Sequence, residues 1–281
     1  MKRIYNIFAV ITGSIAISAC QETVQLDLKQ TPPKIVIEGQ VTDQPGHQSV
    51  KVSRSVDFYS SGEAPTIDNA TVIVTDNDGN EFTFVHNPNA VPDSAGIYIP
   101  ETPFVGVIGK TYSLHVQVGQ EIFEASDKLV NVIDMDSLKY RINDDEKEDP
   151  KTFGKFYELL MYAKEPQDET NFYLFKFYRN DSLLTYSDTD IYYSDDKYLA
   201  ENIDGVTSPI YYAPNDKGRV EMYSLSRVGY VFYNDLWTLL NNDGGGMFGP
   251  IPTTPRTNLS NGALGFFQVS AMNSIEIVVE E

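Results

Sequence analysis

The sequence predicts an all-β protein, mainly antiparallel, with one short helix, and three observations carry that prediction. From Lys34 onward, short runs of alternating apolar and polar residues follow one another. Gly, Pro, Asn and Asp punctuate these runs at the short intervals typical of strands joined by turns. One stretch, Tyr233, Leu236, Trp237 and Leu240, has the i, i+3, i+4, i+7 spacing of a helix.

The chain opens with MKRIYNIFAVITGSIAISAC. Lys2 and Arg3 form a basic start, Ile4 to Ala19 an apolar run, and Ile17-Ser18-Ala19 puts small residues before Cys20. This is the layout of a secretory signal over residues 1–19. The run falls short of the roughly 20 apolar residues that a membrane-crossing helix needs, and no stop-transfer flank follows. A cysteine just after the cleavage point is the arrangement of a bacterial lipoprotein, so Cys20 is expected to be the acylated first residue of the mature chain. Cys20 is also the only cysteine, which leaves no intrachain disulfide to account for it. Several acyl chains, at about 0.8 kcal/mol per buried methylene, hold a protein stably where one does not. Residues 20–33 are polar, end in Thr31-Pro32-Pro33 and read as a flexible tether.

Residues 34–135 are expected to form an immunoglobulin-like β-sandwich. Ile35, Ile37 and Gly39 alternate with Val36, Glu38 and Gln40 before a turn at Pro45-Gly46, and Val50 and Val52 begin the next run. Thr71–Thr75 and Glu81–Val85 flank Asp76-Asn77-Asp78-Gly79-Asn80, a hairpin in which Asp-Gly supplies the residues that tolerate positive φ. Gly96–Ile99 is a further short run. In Thr111–Val118 the apolar residues Tyr112, Leu114, Val116 and Val118 share one face, and Gly119-Gln120 turns the chain into Glu121–Ala125.

Residues 136–281 are expected to form a second β-rich domain of different texture. They hold 14 of the 18 tyrosines, 9 of the 15 phenylalanines and the only tryptophan. Phe156–Ala163 and Phe172–Tyr178 are apolar on both alternating faces, as strands buried between two layers are. The acidic stretch Asn143–Pro150 reads as an exposed loop. The helix is expected near residues 227–242, where Asn241-Asn242-Asp243-Gly244 would end it. Gly244-Gly245-Gly246 with Pro250, Pro252 and Pro255 is a loop, and Gly262–Val269 and Ile275–Val279 are strands.

Composition excludes some functions. Losing Lys2 and Arg3 with the leader leaves 19 basic against 40 acidic side chains, a formal charge near −21. Such a surface repels phosphate backbones, so no nucleic-acid partner is expected. His47, His86 and His115 are scattered, and there is no H-E-x-x-H, no cysteine pair and no G-x-S-x-G elbow. No catalytic residue, metal ligand or cofactor is therefore assigned. Gly106–Thr111 imitates a phosphate loop, but Phe104 stands where its first glycine belongs and a strand follows. Asp76–Asn80 imitates the start of a calcium loop without the distal glutamate, and a hairpin explains it better.

The candidate ligand or partner surface lies between Tyr186 and Tyr212. It comprises Tyr186, Tyr192, Tyr193, Tyr198, Tyr211 and Tyr212, set among Asp188, Asp190, Asp195, Asp196 and Asp204. Tyrosine offers a rigid apolar face with a polar tip, and carboxylates beside it accept hydrogen bonds or hold a cation. The competing interpretation is a surface excursion whose tyrosines pack down.

Lys34–Asp43 after Cys20, the hairpin at Ala70–Phe84, Gly96-Ile97-Tyr98, Gly109–Leu114 and Asn258–Phe267 together resemble the Bacteroidetes-type lipoproteins grouped as DUF4249. The resemblance spans nearly the whole mature chain, and its motifs are turn glycines and strand apolar residues, so no catalytic residue carries over. It implies an outer-membrane lipoprotein exposed at the cell surface, where Gln21-Glu22 places an acid after the acylated position. It also implies an accessory, ligand-capturing role beside a TonB-dependent transporter. Asp93-Ser94-Ala95, Asp136-Ser137-Leu138 and Asp181-Ser182-Leu183 look like the short O-glycosylation motif of such bacteria. The functional expectation is thus a non-enzymatic lipoprotein held in the outer membrane through Cys20. The alternatives are a surface hydrolase using carboxylates of the second domain and a calcium-dependent adhesion or assembly module.

Overall fold

The first alternating run folds as expected into β1 (Ile35–Thr42), with Ile35, Ile37 and Val41 inward and Glu38 outward. The computed structural model describes residues 32–56, 63–87, 95–143, 157–197, 201–242 and 253–280. Met1–Ala19, Cys20, Tyr198, Asp93-Ser94 and residues 144–150 and 243–252, which were expected as loops, lie outside the described residues. Pro33–Glu281 is one compact unit.

Sheet order follows from hairpins laid side by side. β2 (Ser49–Arg54), β3 (Thr71–Asp76), β4 (Glu81–His86), β5 (Ile97–Pro100), β6 (Thr111–Val118) and β7 (Glu121–Lys128) join β1 in antiparallel ladders. The complete order is β15-β1-β2-β5-β4-β3-β6-β7, where β15 (Leu264–Ser270) lies parallel to β1. The segment assigned to the second domain thus supplies one strand of the first sheet. Contact with β1 is close: Gly265 has φ +96°, and a Cβ there would collide with the Ile37 carbonyl.

The sheet curls until β7 faces β15, and side chains close the gap. Asn258 donates to the Phe267 carbonyl (2.8 Å) and the Ser126 carbonyl (3.1 Å) and accepts from the Phe267 N–H (3.0 Å). Ser260 exchanges two 2.8 Å bonds with the Glu124 backbone. Inside this near-barrel, Ile37, Val52, Val74, Leu114, Val116, Phe123, Phe267 and Val269 form one core.

The second half is a sandwich of two sheets. β8 (Met135–Ile142), β9 (Tyr157–Lys164) and β13 (Asn202–Tyr212) form one, in the order β13-β9-β8. β10 (Phe172–Arg179), β11 (Ser182–Leu183), β12 (Tyr192–Asp195), β14 (Lys217–Ser224) and β16 (Met272–Val278) form the other, ordered β11-β10-β14-β16 with β12 also on β10. Leu138, Leu159, Met161, Ile210, Phe177, Val220 and Met222 fill the space between them. The fold is therefore mainly antiparallel β, as predicted.

Among the described residues the one helix is α1 (Arg227–Leu240), within the expected span. Its N-cap Ser226, in extended backbone conformation, accepts the Gly229 N–H at 3.1 Å. The buried face differs from the expected stripe. Gly229 and Phe232 are buried, with Tyr230 and Tyr233 half-buried, whereas Trp237 and Leu240 stand 44% and 41% exposed. The reason is aromatic: Phe232 stacks on Phe266 of β15 at 4.9 Å, and Tyr230 meets Phe172 at 4.7 Å and Tyr193 at 5.5 Å. These contacts rotate the helix away from the simple hydrophobic count.

Candidate functional site

The hairpin from β10 into β11 turns at Asn180 and Asp181, which take φ of 51° and 65°. From there the chain loops back to β12, and this loop carries the first tyrosines. The Asp190 carboxylate gathers it, accepting the N–H groups of Tyr186 and Ser187 (each 2.9 Å) and the Tyr192 hydroxyl (3.1 Å). Burial first, then the Asp190 charge, pushes the Tyr192 phenol above its ordinary range.

Tyr186 reaches across to the other sheet. Its ring stacks on Tyr211 with centroids 6.1 Å apart, and its hydroxyl accepts the Tyr211 N–H at 2.7 Å. That N–H belongs to the edge strand β13, so Tyr186 covers a backbone donor at the seam where the two sheets part. Tyr192 sits beneath, edge-on to Phe177 at 5.3 Å. Tyr186, Tyr192 and Tyr211 are thus brought together.

The other two described tyrosines point elsewhere. Strand alternation turns Tyr193 to the opposite face, where its hydroxyl donates to Asn234 of α1 at 3.1 Å. Tyr212 is fully buried in the sandwich core, and burial pushes its phenol upward. Among the described residues its hydroxyl is the buried side-chain polar atom without a hydrogen-bond partner. What this region presents outward is ring surface, chiefly Tyr186, with the Tyr186 and Tyr192 hydroxyls bonded to neighbours. It suits stacking and van der Waals recognition better than proton transfer.

The calcium-like turn holds a different cation. Lys110 Nζ lies 2.7 Å from both Asp76 and Asp78. Asp76 also accepts from the N–H groups of Asp78 (3.0 Å) and Asn80 (2.9 Å). The Lys110 hydrogen bond, above all, holds the Asp76 carboxyl well below the usual range. An ammonium therefore occupies the centre of Asp76–Asn80. Among the described residues no group of three or more His, Cys, Asp or Glu side chains is gathered to hold a metal ion.

Sequence reasoning missed a polar knot where the two halves meet. Asp127 of β7 accepts the Val269 N–H (3.1 Å) and the Ser226 hydroxyl, and burial pushes its carboxyl up to about 6. Ser224 Oγ donates to the Val130 carbonyl (2.7 Å) and accepts the Ala271 N–H (2.9 Å). Ser270 donates to the Ser224 carbonyl (2.6 Å), while Tyr233 of α1 donates to Gln268 (2.6 Å). One signal was visible: Asp127 falls on the inward face of β7 with Phe123 and Ala125, where a carboxylate needs internal donors.

The motif residues quoted for the family resemblance have structural tasks here. Tyr98 donates to the Ile67 carbonyl (2.9 Å) and accepts the Ala70 N–H (2.8 Å), Tyr112 accepts the Val107 N–H (2.9 Å), and Asn258 clasps β15 to β7. A family model described as "Domain of unknown function (DUF4249)" matches residues 21–276. No curated protein matches the chain.

Proposed function

This chain belongs to the DUF4249 family, and from that premise we propose that it is a lipid-anchored, non-enzymatic outer-membrane protein that helps a TonB-dependent transporter capture its ligand. The observation that carries the reading is how the buried acids are used. Glu158 accepts from Arg141 and Asn143, Glu165 from Tyr173 and Asn171, Glu221 from Arg219 and Tyr223, and Asp216 from Asn180 and Arg179. These carboxylates hold the fold together, and an acid spent in that way is a poor general acid or base for a substrate.

Anchoring rests on the leader, the small residues before Cys20 and the polar tether. The ligand or partner surface is the Tyr186–Tyr211 seam, where aromatic faces offer contact area at little conformational cost. The test is a mild-detergent pull-down of the tagged native protein from outer membranes, with the co-purifying proteins identified by mass spectrometry. A stoichiometric transporter is expected, and its loss in a Tyr186→Ala, Tyr211→Ala variant would place the contact. A protein that never associates with a transporter, and whose deletion leaves uptake intact, refutes the proposal.

A further inference from the structure

We propose that the exposed C-terminal half of α1, centred on Trp237 and Leu240, rests in the interfacial layer of the bilayer to which Cys20 ties the chain. This inference depends on the lipid-anchored reading above. It gives the protein a second, non-covalent foothold on the membrane.

The argument begins with the direction of α1. Its N-cap Ser226 is tied through Asp127 to the Val269 end of β15. Further along, Phe232 stacks on Phe266, and Asp235 holds Arg256 by bonds of 2.6 and 2.8 Å. The next residue, Thr257, donates to the Gly265 carbonyl at 2.6 Å. The helix therefore runs back along β15 toward Leu264, which pairs with Val36 at the start of β1. That is the end at which the chain enters from Pro33. At 1.5 Å rise per residue, Leu240 lies about 12 Å past Phe232 along the helix axis.

Two further apolar side chains are exposed at that end, among charged neighbours such as Lys34 and Glu121. Besides Trp237 and Leu240, Val56 and Ile122 are exposed. Val56 follows Arg54, the partner of Ile35, and Ile122 adjoins the hairpin between Val118 and Glu121. Thirteen residues on from Cys20, Pro33 is within about 45 Å of it however the chain between them runs. A fold held so close needs only a weak affinity for the surface to stay in contact. Trp prefers the headgroup layer, where its ring is apolar and its N–H stays within reach of water and headgroups. Because the protein is strongly acidic, the contact is expected to be apolar and insensitive to salt.

One tryptophan and one cysteine make the test direct. The chain from residue 20 onward is coupled through the Cys20 thiol to a maleimide lipid in phosphatidylcholine vesicles, with or without brominated acyl chains. Trp237 emission is expected to shift to shorter wavelength on coupling and to be quenched by the brominated lipid. Leu240→Glu should lose both effects. Ile108→Glu, in the loop tied by Gly106 to the opposite end of β1, should lose neither. If Leu240→Glu melts early, Thr238→Glu on the exposed side gives the same readout. Emission and quenching equal to those of the uncoupled chain overturn the inference. So does a Trp237 untouched by brominated lipid yet shielded from aqueous iodide in native outer membranes, since that assigns the face to a protein. The maleimide supplies the anchor, so failure of the lipoprotein reading is seen separately, as an N-terminal peptide from cells that carries no acyl groups on Cys20.

Discussion

Tyr212 keeps a hydroxyl inside the second core with no partner among the described residues, a group whose desolvation is not repaid. Tyr212→Phe should leave stability unchanged or raise it by up to about 2 kcal/mol, read by thermal denaturation. A clear fall in melting temperature would mean the hydroxyl is bonded after all. Asp127 makes the opposite case, a buried carboxylate with donors that still sits near 6. Its folded value lies above its ordinary 3.8, so its favourable contribution is complete below about 3.8 and is lost as pH rises through about 6. At neutral pH the ionised group costs on the order of 2–3 kcal/mol. Asp127→Asn should therefore gain on the wild type as pH rises from 5 to 8, and a melting difference that stays flat across that range would contradict this. At this scale the sequence was half legible. Asp127 on an inward strand position could be seen, whereas the position of Tyr212 depended on two bulges in β13 that alter which residues face inward.

α1 depends on local chemistry at its start and on distant strands along its length. Ser226→Ala removes the bond to Gly229 and a donor to Asp127, and should cost about 1 kcal/mol or somewhat more in denaturant unfolding. Gly265→Ala should be far worse, about 3 kcal/mol or more, because a positive φ and a collision with Ile37 fall on the same residue. A Gly265→Ala variant of native stability would show that β15 is less tightly seated on β1 than described. The hairpins were readable because turn chemistry is local: Asp-Gly sits between β3 and β4, and Gly119 between β6 and β7. The orientation of α1 was not, since Phe266 and Phe172, which capture Phe232 and Tyr230, lie far away in sequence.

Across the whole molecule, the mainly antiparallel β architecture was legible from alternation and turns, and the closure of the first sheet was not. Nothing local to Val36 announces that its partner is Leu264. Removing residues from Asn258 onward should unfold the first half along with the second, since it strips β15 and the Asn258 clasp together. A truncated chain that keeps a cooperative melt and native near-ultraviolet dichroism would contradict that. The parallel pairing of β1 with β15 also orders events in time. At about 5–20 residues per second, roughly 10–45 s separate the synthesis of Val36 from that of Leu264. Throughout that interval the outer side of β1 has no neighbour, and the first core has a missing wall. A nascent chain whose earliest strand waits for β15 leaves its first core open for nearly the whole of synthesis, and closes it only when all but the last few residues have been made.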